Sequence, residues 1–237
     1  MSDWSNRFSR TALLLGDEAL QKLQGKRVLV VGVGGVGGHA AENIARCGVG
    51  HLTLVDGDTV DISNCNRQII ATGSTVGLPK AEVLAARCRE INPDGEFTAL
   101  AQFLKTPEDI SILLETDFDF AVDAIDDVPV KVELIRQLKM RHIPFVSAMG
   151  AGGKLDPSQV RIADISKTSG CPLARVMRGK LKALGITKGV KTVFSPEVPQ
   201  QSFTGRKIGS ISYLPAVCGC FCAAEAVKHL ADEEKSR

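Results

Sequence analysis

The stretch from Leu54 to Gln68 carries polar side chains that are suited to binding and cleaving a nucleoside triphosphate. It reads LVDGDTVDISNCNRQ, and a lysine follows at Lys80. Cleavage of ATP between its α and β phosphates needs several donors, because negative charge develops on the α-phosphate and on the departing pyrophosphate. The residues that offer such donors are Asn64, Arg67, Gln68 and Lys80. A dehydrogenase that binds a dinucleotide has no need of this set.

A glycine-rich turn lies just before this stretch. The sequence VLVVGVGGVGG begins at Val28 and predicts a strand, a tight turn and a helix that hold a nucleotide. Asp56 lies nineteen residues past the last turn glycine, where a Rossmann-type fold presents an acid to a ribose. On these features alone, a nicotinamide or flavin dinucleotide fits as well as ATP. The glycines, whose missing Cβ atoms let backbone N–H groups approach phosphates, are Gly32, Gly34, Gly35 and Gly37.

Further acids accompany these elements. Asp58 either assists Asp56 or orients a neighbouring basic group, or it is simply a turn residue of the DGD tripeptide. The segment VDAIDDV places Asp126 after a predicted strand, between Asp123 and Asp127. A structural interpretation treats these two neighbours as helix-capping or sheet-end acids.

Alternating strand and helix patterns predict the scaffold that positions these residues. Because parallel strands need crossover connections, the alternation predicts an α/β fold: a doubly wound, mostly parallel sheet with a Rossmann-like ATP-binding core and an elaborated C-terminal part. The strands are RVLVVG, HLTLVD, FTALAQ, FDFAVDAI and IPFVSA, and the helices span 7–23, 37–48, 80–91, 107–115, 128–141 and 172–184. We expect a single domain over 1–237, with the nucleotide-binding core in 1–150 and a substrate and dimer part in 151–237.

Composition narrows the class of protein. The chain has 237 residues, 44% of them hydrophobic, and a net charge of +2, which favours one ordered core over disorder. Residues 175–191 carry six lysines and arginines and no acid. This segment suits either a nucleic-acid phosphate backbone or the solvated face of an amphipathic helix.

The cysteines and the N-terminus indicate a cytoplasmic protein with reduced thiols. None of the seven cysteines forms a CxxC pair, which argues against a four-thiolate zinc site, and the N-terminus lacks an apolar signal core. Residues 208–224 have no charge, and we expect them to be buried in the fold rather than inserted in a membrane. Residues 196–205 are the best candidate for a mobile loop. Packing roles are expected for Cys171, Cys218, Cys220 and Cys222.

DGDTVDISNCNRQ followed by VGLPKAE resembles the ThiF-type adenylation domain of the ubiquitin-activating superfamily. The resemblance implies that Asn64, Arg67 and Lys80 contact the triphosphate of ATP, and Gln68 matches a glutamine of that family. It places Asp126 where that family holds Mg²⁺. It also implies a homodimer, in which an arginine of the N-terminal helix reaches the partner's ATP. Arg10 matches that arginine, and Arg7 is the alternative.

The C-terminal half resembles one branch of that superfamily. AGGKLDPSQVRIADISKTSGCPLARVMRGKLKALGI, followed by VFSPE, is similar to the bacterial tRNA threonylcarbamoyladenosine dehydratases. The resemblance implies an ATP-dependent cyclisation on tRNA and allows a sulfurtransferase-system partner. The alternatives are activation of a sulfur-carrier protein's C-terminal glycine, a dinucleotide-dependent redox enzyme, and a non-enzymatic scaffold. The redox alternative leaves Arg67, Lys80 and Asp126 without a function.

Overall fold

A seven-stranded sheet forms the centre of the molecule. The computed structural model describes residues 3–200 and 208–232. The strand order is β3-β2-β1-β4-β5-β7-β6, and every neighbouring pair is parallel except β6 with β7. The α/β fold with a doubly wound, mostly parallel sheet is therefore confirmed. The strands are β1 (Arg27–Val31), β2 (His51–Val55), β3 (Glu96–Leu100), β4 (Phe120–Asp123), β5 (Phe145–Ala148), β6 (Arg161–Asp164) and β7 (Lys191–Phe194).

Helices cover both faces of this sheet. Alternate residues of β1 point to opposite faces, so Val28 and Val30 pack with α4, α5 and α9, whereas Leu29 and Val31 pack with α6 and α7. A third cluster packs α8 against α7. The helices are α1 (Asp3–Arg7), α2 (Ser9–Leu15), α3 (Asp17–Gln24), α4 (Gly37–Arg46), α5 (Lys80–Ile91), α6 (Pro107–Leu113), α7 (Val128–Met140), α8 (Pro172–Ala183) and α9 (Tyr213–Ala231).

Most predicted elements are present, with ends within two residues of their predicted positions. The single helix predicted over 7–23 was wrong, because the chain breaks into α1, α2 and α3. Gly16, between α2 and α3, has a φ of +89°, a backbone conformation that ends a helix. Of the loop predicted to be mobile, residues 201–205 lie outside the described residues.

The uncharged segment beginning at Ile208 leads into α9, which packs against α4, β4 and β5. In the described part of the chain, α9 is the one helix with the length and apolar composition of a membrane span. A Cβ at Gly219 would lie 2.6 Å from the carbonyl oxygen of Val36, so α9 crosses α4 at very short range. The part of the segment within α9 is therefore packed on the core, as expected, whereas Ile208 and Gly209 before it are exposed.

A buried ion pair fixes the end of β4. The Lys131 Nζ of α7 lies 2.9 Å from Asp123 Oδ2, and neither side chain has exposed surface. The hydroxyl of Ser147 donates to the same Oδ2 at 2.6 Å, and Lys131 also donates to the carbonyl oxygen of Ile125 at 3.1 Å. The lysine thus holds both the strand end and the first residues of the loop that follows.

Replacing Lys131 with Met should destabilise the protein by about 3–5 kcal/mol, because it leaves the Asp123 carboxylate buried and unpaired. The double variant Lys131→Met/Asp123→Asn should recover part of this loss, because the uncompensated charge is gone. Urea unfolding of both variants measures the two free energies of unfolding. A double variant no more stable than the single one would contradict this account.

Candidate active site

At Gly32 and Gly37, the turn between β1 and α4 is too tight for a side chain. A Cβ at Gly32 would lie 2.7 Å from the carbonyl oxygen of Ala124, and one at Gly37 would lie 1.8 Å from the carbonyl oxygen of Gly32. Gly32 also has a φ of +82°. No side chain caps the N-terminus of α4. The backbone therefore forms a concave surface in front of a helix N-terminus, which favours an anion.

Asp56 ties this turn to the end of β2. Its Oδ2 accepts the backbone N–H of Val33 at 2.8 Å, and its Oδ1 accepts that of Asp58 at 2.9 Å. A carboxylate has about four acceptor sites, so two bonds leave capacity for ribose hydroxyls. Asp56 is thus a clamp on the glycine turn as well as the predicted ribose acceptor.

Lys80 and Asp58 form an ion pair of 2.7 Å beside Asp56. A β-bridge between Thr59 and Pro79 folds the intervening loop back, so that α5 begins next to Asp58. The Lys80 side chain is only 8% exposed, whereas that of Asp58 is 55% exposed. Of the interpretations of Asp58, the structure thus shows the orientation of a neighbouring basic group.

A short 3₁₀ turn positions the other donors. Asp61 and Asn64 cap this turn reciprocally, with the Asn64 side-chain oxygen accepting the Asp61 N–H at 3.1 Å. Arg67 follows, and its Cγ lies 3.6 Å from where a Cβ of Gly35 would be. Its Nη1 donates to the carbonyl oxygen of Ser63 at 2.9 Å, which orders the guanidinium.

Gln68 lies directly against the glycine turn. Its Nε2 is 3.6 Å from the position that a Cβ of Gly34 would take, and the residue is 7% exposed. Its Oε1 is buried without a hydrogen-bond partner. Leaving such an atom unpaired costs about 1–3 kcal/mol, so a ligand that donates a hydrogen bond here would be stabilised. The residues present therefore fit a nucleotide.

Asp126 lies in the loop after β4, at the same edge of the sheet. It is exposed, whereas Asp127 accepts the N–H of Val130 at 3.1 Å and caps α7, and Asp123 is committed to Lys131. Mg²⁺ in phosphate sites is held by one or two carboxylates together with phosphate oxygens. As a single exposed carboxylate at this edge of the sheet, Asp126 has the chemistry that this mode needs.

The structure does not bring Arg10 to this place. Phe8, two residues earlier, packs against Gly48, which follows the C-terminal end of α4. The glycine turn lies at the other end of α4, about 15 Å away for a helix of this length. Arg10 and Arg7 are both exposed. The predicted residues that do lie together are Gly32, Gly34, Gly35, Gly37, Asp56, Asp58, Asn64, Arg67, Gln68, Lys80 and Asp126.

Two neighbours of the site were missed at the level of the sequence. The ring of Phe103 covers Gly57, which lies between Asp56 and Asp58, so closely that a Cβ at Gly57 would collide with it. Phe103 itself is 57% exposed. Pro215 of α9 approaches Gly35, with 3.1 Å between its Cβ and the position of a Gly35 Cβ. The glycine between Asp56 and Asp58 was the one sequence feature that indicated a close neighbour at the position of Phe103. No local pattern indicated that Pro215 would approach the turn.

The C-terminal cysteines are mostly buried. Cys171, Cys218 and Cys222 are buried, as their expected packing roles require, whereas Cys220 is exposed, so the packing role expected of it was wrong. Burial raises the pKa of the Cys218 thiol to about 12 and also raises that of Cys222. Both side chains are therefore neutral thiols at physiological pH, which suits packing better than nucleophilic chemistry.

Residues 8–237 match the ThiF family. This chain belongs to the ThiF family. A tRNA threonylcarbamoyladenosine dehydratase of Bacillus subtilis is 47% identical over 194 residues, which are 82% of this chain and 76% of that protein. The Escherichia coli protein of the same name is 43% identical over 201 residues, 82% of this chain and 75% of that protein. Within the ThiF family, the chain therefore belongs with the tRNA threonylcarbamoyladenosine dehydratases.

Solved structures agree with this placement in the ThiF family. The crystal structure of Escherichia coli TcdA, a tRNA N6-threonylcarbamoyladenosine dehydratase, matches with a TM-score of 0.94 and 38% identity. The match covers 100% of this chain and 98% of that one. The same Escherichia coli protein has also been solved in complex with ATP and with AMP. A maize adenylyltransferase and sulfurtransferase, MOCS3-1, is 31% identical to this chain. The match covers 96% of this chain and 44% of the maize protein.

Gly37→Ala should abolish measurable ATP binding, because the new Cβ would collide with the carbonyl oxygen of Gly32 and push the turn apart. Gly73→Ala is the matched control, since a Cβ there meets nothing within 4 Å. Isothermal titration with ATP and magnesium measures both affinities. Equal affinities in the two variants would remove the glycine turn from the nucleotide site.

Proposed function

We propose that this chain is an ATP-dependent tRNA threonylcarbamoyladenosine dehydratase that forms an acyl-adenylate. Its substrate is an adenosine next to the anticodon, which carries a threonine through a ureido link. The free carboxylate of that threonine is a poor electrophile. Its attack on the α-phosphate of ATP expels pyrophosphate, and attack from within the modified base then expels AMP and closes a ring. The net change is the loss of one water.

The observation that carries this proposal is the buried, unpartnered oxygen of Gln68 beside the glycine turn, with Arg67 and Lys80 around the same edge of the sheet. The two cations favour a triphosphate, whose oxygens accept hydrogen bonds, and the Gln68 oxygen can accept one from a nucleotide donor such as a ribose hydroxyl. The family membership directs the adenylation chemistry to a carboxylate on tRNA.

The residues of the chain supply binding, orientation and charge. The turn at Gly32–Gly37 accommodates phosphates, and Asp56 accepts from the ribose. Arg67 and Lys80 offset the negative charge that grows on the α-phosphate and on pyrophosphate. When bound, Mg²⁺ would be held by Asp126 and would neutralise phosphate oxygens.

Ring closure needs no enzyme nucleophile. The attacking group is tethered to the activated carboxyl, which raises its effective concentration greatly. The raised pKa of Cys218 agrees with this assignment, because a neutral thiol is a weak nucleophile. We assign the protein to the cytoplasm, where its tRNA substrate and a reducing environment are both available.

Activation of a small carrier protein's C-terminal glycine is the second candidate. It uses the same chemistry on a different carboxylate, and the 31% identity to MOCS3-1 favours it. The absence of any CxxC pair from the sequence argues against it. A sulfurtransferase-system partner is compatible with either function.

The decisive experiment follows the nucleoside itself. The protein is incubated with ATP, magnesium and bulk tRNA, the tRNA is digested, and mass spectrometry looks for threonylcarbamoyladenosine that has lost one water. Loss of water with release of AMP supports the dehydratase. An unchanged nucleoside, together with ATP–pyrophosphate exchange on addition of small carrier proteins, would support carrier activation instead.

Arg67→Ala and Lys80→Ala should each lose about 2–4 kcal/mol of transition-state stabilisation, by analogy with removal of one preorganised oxyanion donor. This corresponds to a fall in kcat of about 30- to 900-fold, at tenfold for each 1.36 kcal/mol. Single-turnover dehydration of tRNA at saturating ATP measures it. Unchanged turnover in either variant would remove that residue from the site.

We further propose a symmetric homodimer in which Arg10 reaches the partner's ATP. Its exposure, and the length of α4 between its neighbourhood and the glycine turn, support action in trans rather than within one chain. Arg7 stays as the alternative, and it lines a surface cleft of about 370 Å³ with Arg46 and Arg87.

Mixing Arg10→Ala protomers with Asp126→Ala protomers should restore activity, because each mixed dimer contains one site with both residues intact. Random exchange makes half of the dimers mixed, so about a quarter of wild-type turnover is expected. Each variant alone is the control and should be inactive. A mixture that stays as inactive as its components would refute action in trans.

A further inference from the structure

Residues 165–191, here called the basic segment, concentrate the positive charge of the chain. The chain's net charge is +2, and this segment alone carries +7, so the remaining residues together carry −5. No aspartate or glutamate interrupts it. Its cations are Lys167, Arg175, Arg178, Lys180, Lys182, Lys188 and Lys191.

Three of these cations form a stripe along α8. Arg175, Arg178 and Lys182 recur at spacings of three and four residues, which places them on one side of a helix. The buried side of α8, formed by Ala174, Met177 and Leu181, lies next to this stripe. Arg175 and Lys182 are exposed, so the stripe faces solvent along the edge of the packed helix.

The stripe keeps its charge available. Arg178 Nη1 donates to the carbonyl oxygen of Thr168 at 2.8 Å, a neutral partner that orders the guanidinium without cancelling its charge. The nearest acid in sequence, Asp164, is committed to the backbone N–H groups of Gly189 and Val190. Across residues 3–200 and 208–232, no ion pair involves Arg175, Arg178 or Lys182. A row of cations that form no ion pairs, one of them held in place by hydrogen bonds, suits a polyanion.

The stripe begins at the same edge of the sheet as the candidate active site. Cys171, just before α8, has its Sγ 4.0 Å from the carbonyl oxygen of Gly150. Gly150 follows β5 at the carboxyl edge of the sheet, and β5 pairs with β4, which carries the loop of Asp126. The helix therefore starts at the edge where the nucleotide would bind and runs away from it. A substrate with its reactive base at this edge would extend its backbone along α8.

We propose that Arg175, Arg178 and Lys182 bind phosphates of the tRNA on either side of the target adenosine. This inference rests on the proposed function and adds to it a docking surface for the RNA. Such contacts are electrostatic and independent of sequence, so they set the affinity and register of the RNA and not the choice of base.

The test compares Arg175→Glu/Lys182→Glu with Lys228→Glu. Lys182 and Lys228 are both exposed lysines in the last turn of a helix, but Lys228 lies on α9, which packs on the opposite face of the sheet. Filter binding of unmodified tRNA transcripts at several salt concentrations gives the Kd and its salt slope. Circular dichroism and the KM for ATP report whether the fold and the nucleotide site are intact.

The double variant should bind tRNA at least about tenfold more weakly, with a shallower slope of log K against log salt. Its KM for ATP should equal that of Lys228→Glu. Equal tRNA affinity and slope in both variants would overturn the proposal and leave the stripe for an acidic protein partner. Wild-type binding that is lost in the double variant, without any dehydration by the wild type, would support the docking surface while the proposed function fails.

Discussion

The candidate active site depends on one steric constraint, the contact between Gly37 and the carbonyl oxygen of Gly32. A single methyl group at Gly37 would overlap that oxygen, so the chain turns from strand to helix within the smallest possible space. This closeness points the helix N-terminus at the carboxyl edge of the sheet. Asp56 can then clamp the turn, and Gln68 can lie against it. The other parts of the site are placed relative to this turn.

The two cations next to the glycine turn are each held in place by a partner within the protein. Lys80 is nearly buried and held by Asp58, and Arg67 is held by a backbone carbonyl, so both cations are oriented before a nucleotide arrives. Groups that are already oriented lose little entropy on binding and need no rearrangement as charge develops. At the end of β4, the buried ion pair of Lys131 and Asp123 fixes the last residue of the strand. Asp126, in the loop that follows, stays exposed.

The sequence could predict those parts of the fold that follow from local patterns. The parallel core from β1 to β5 and its helices repeat simple apolar periods, and their bounds were close. The break at Gly16 was missed, because leucines on both sides continue a helical pattern and only the backbone conformation ends it. Strands β6 and β7 are short pieces among glycines and prolines, and their antiparallel pairing depends on the completed sheet.

In the candidate site, likewise, the sequence could predict the residues that belong to local motifs but not the contacts between distant positions. Motif residues such as Arg67 and Lys80 carry their chemistry in their type and spacing. The ion pair between Lys80 and Asp58 joins positions 22 residues apart and could not be read from either motif. The Phe103 ring over Gly57 likewise depends on how the loop after β3 folds back.

The close crossing of α9 over α4 bears on how this protein can change in evolution. Gly219 lies against the first turn of α4 and Pro215 against the glycine turn, so the last helix packs directly beneath that turn. The N-terminal core is therefore not independent of the C-terminal helix. A residue larger than glycine at position 219 would need a compensating change in the first turn of α4.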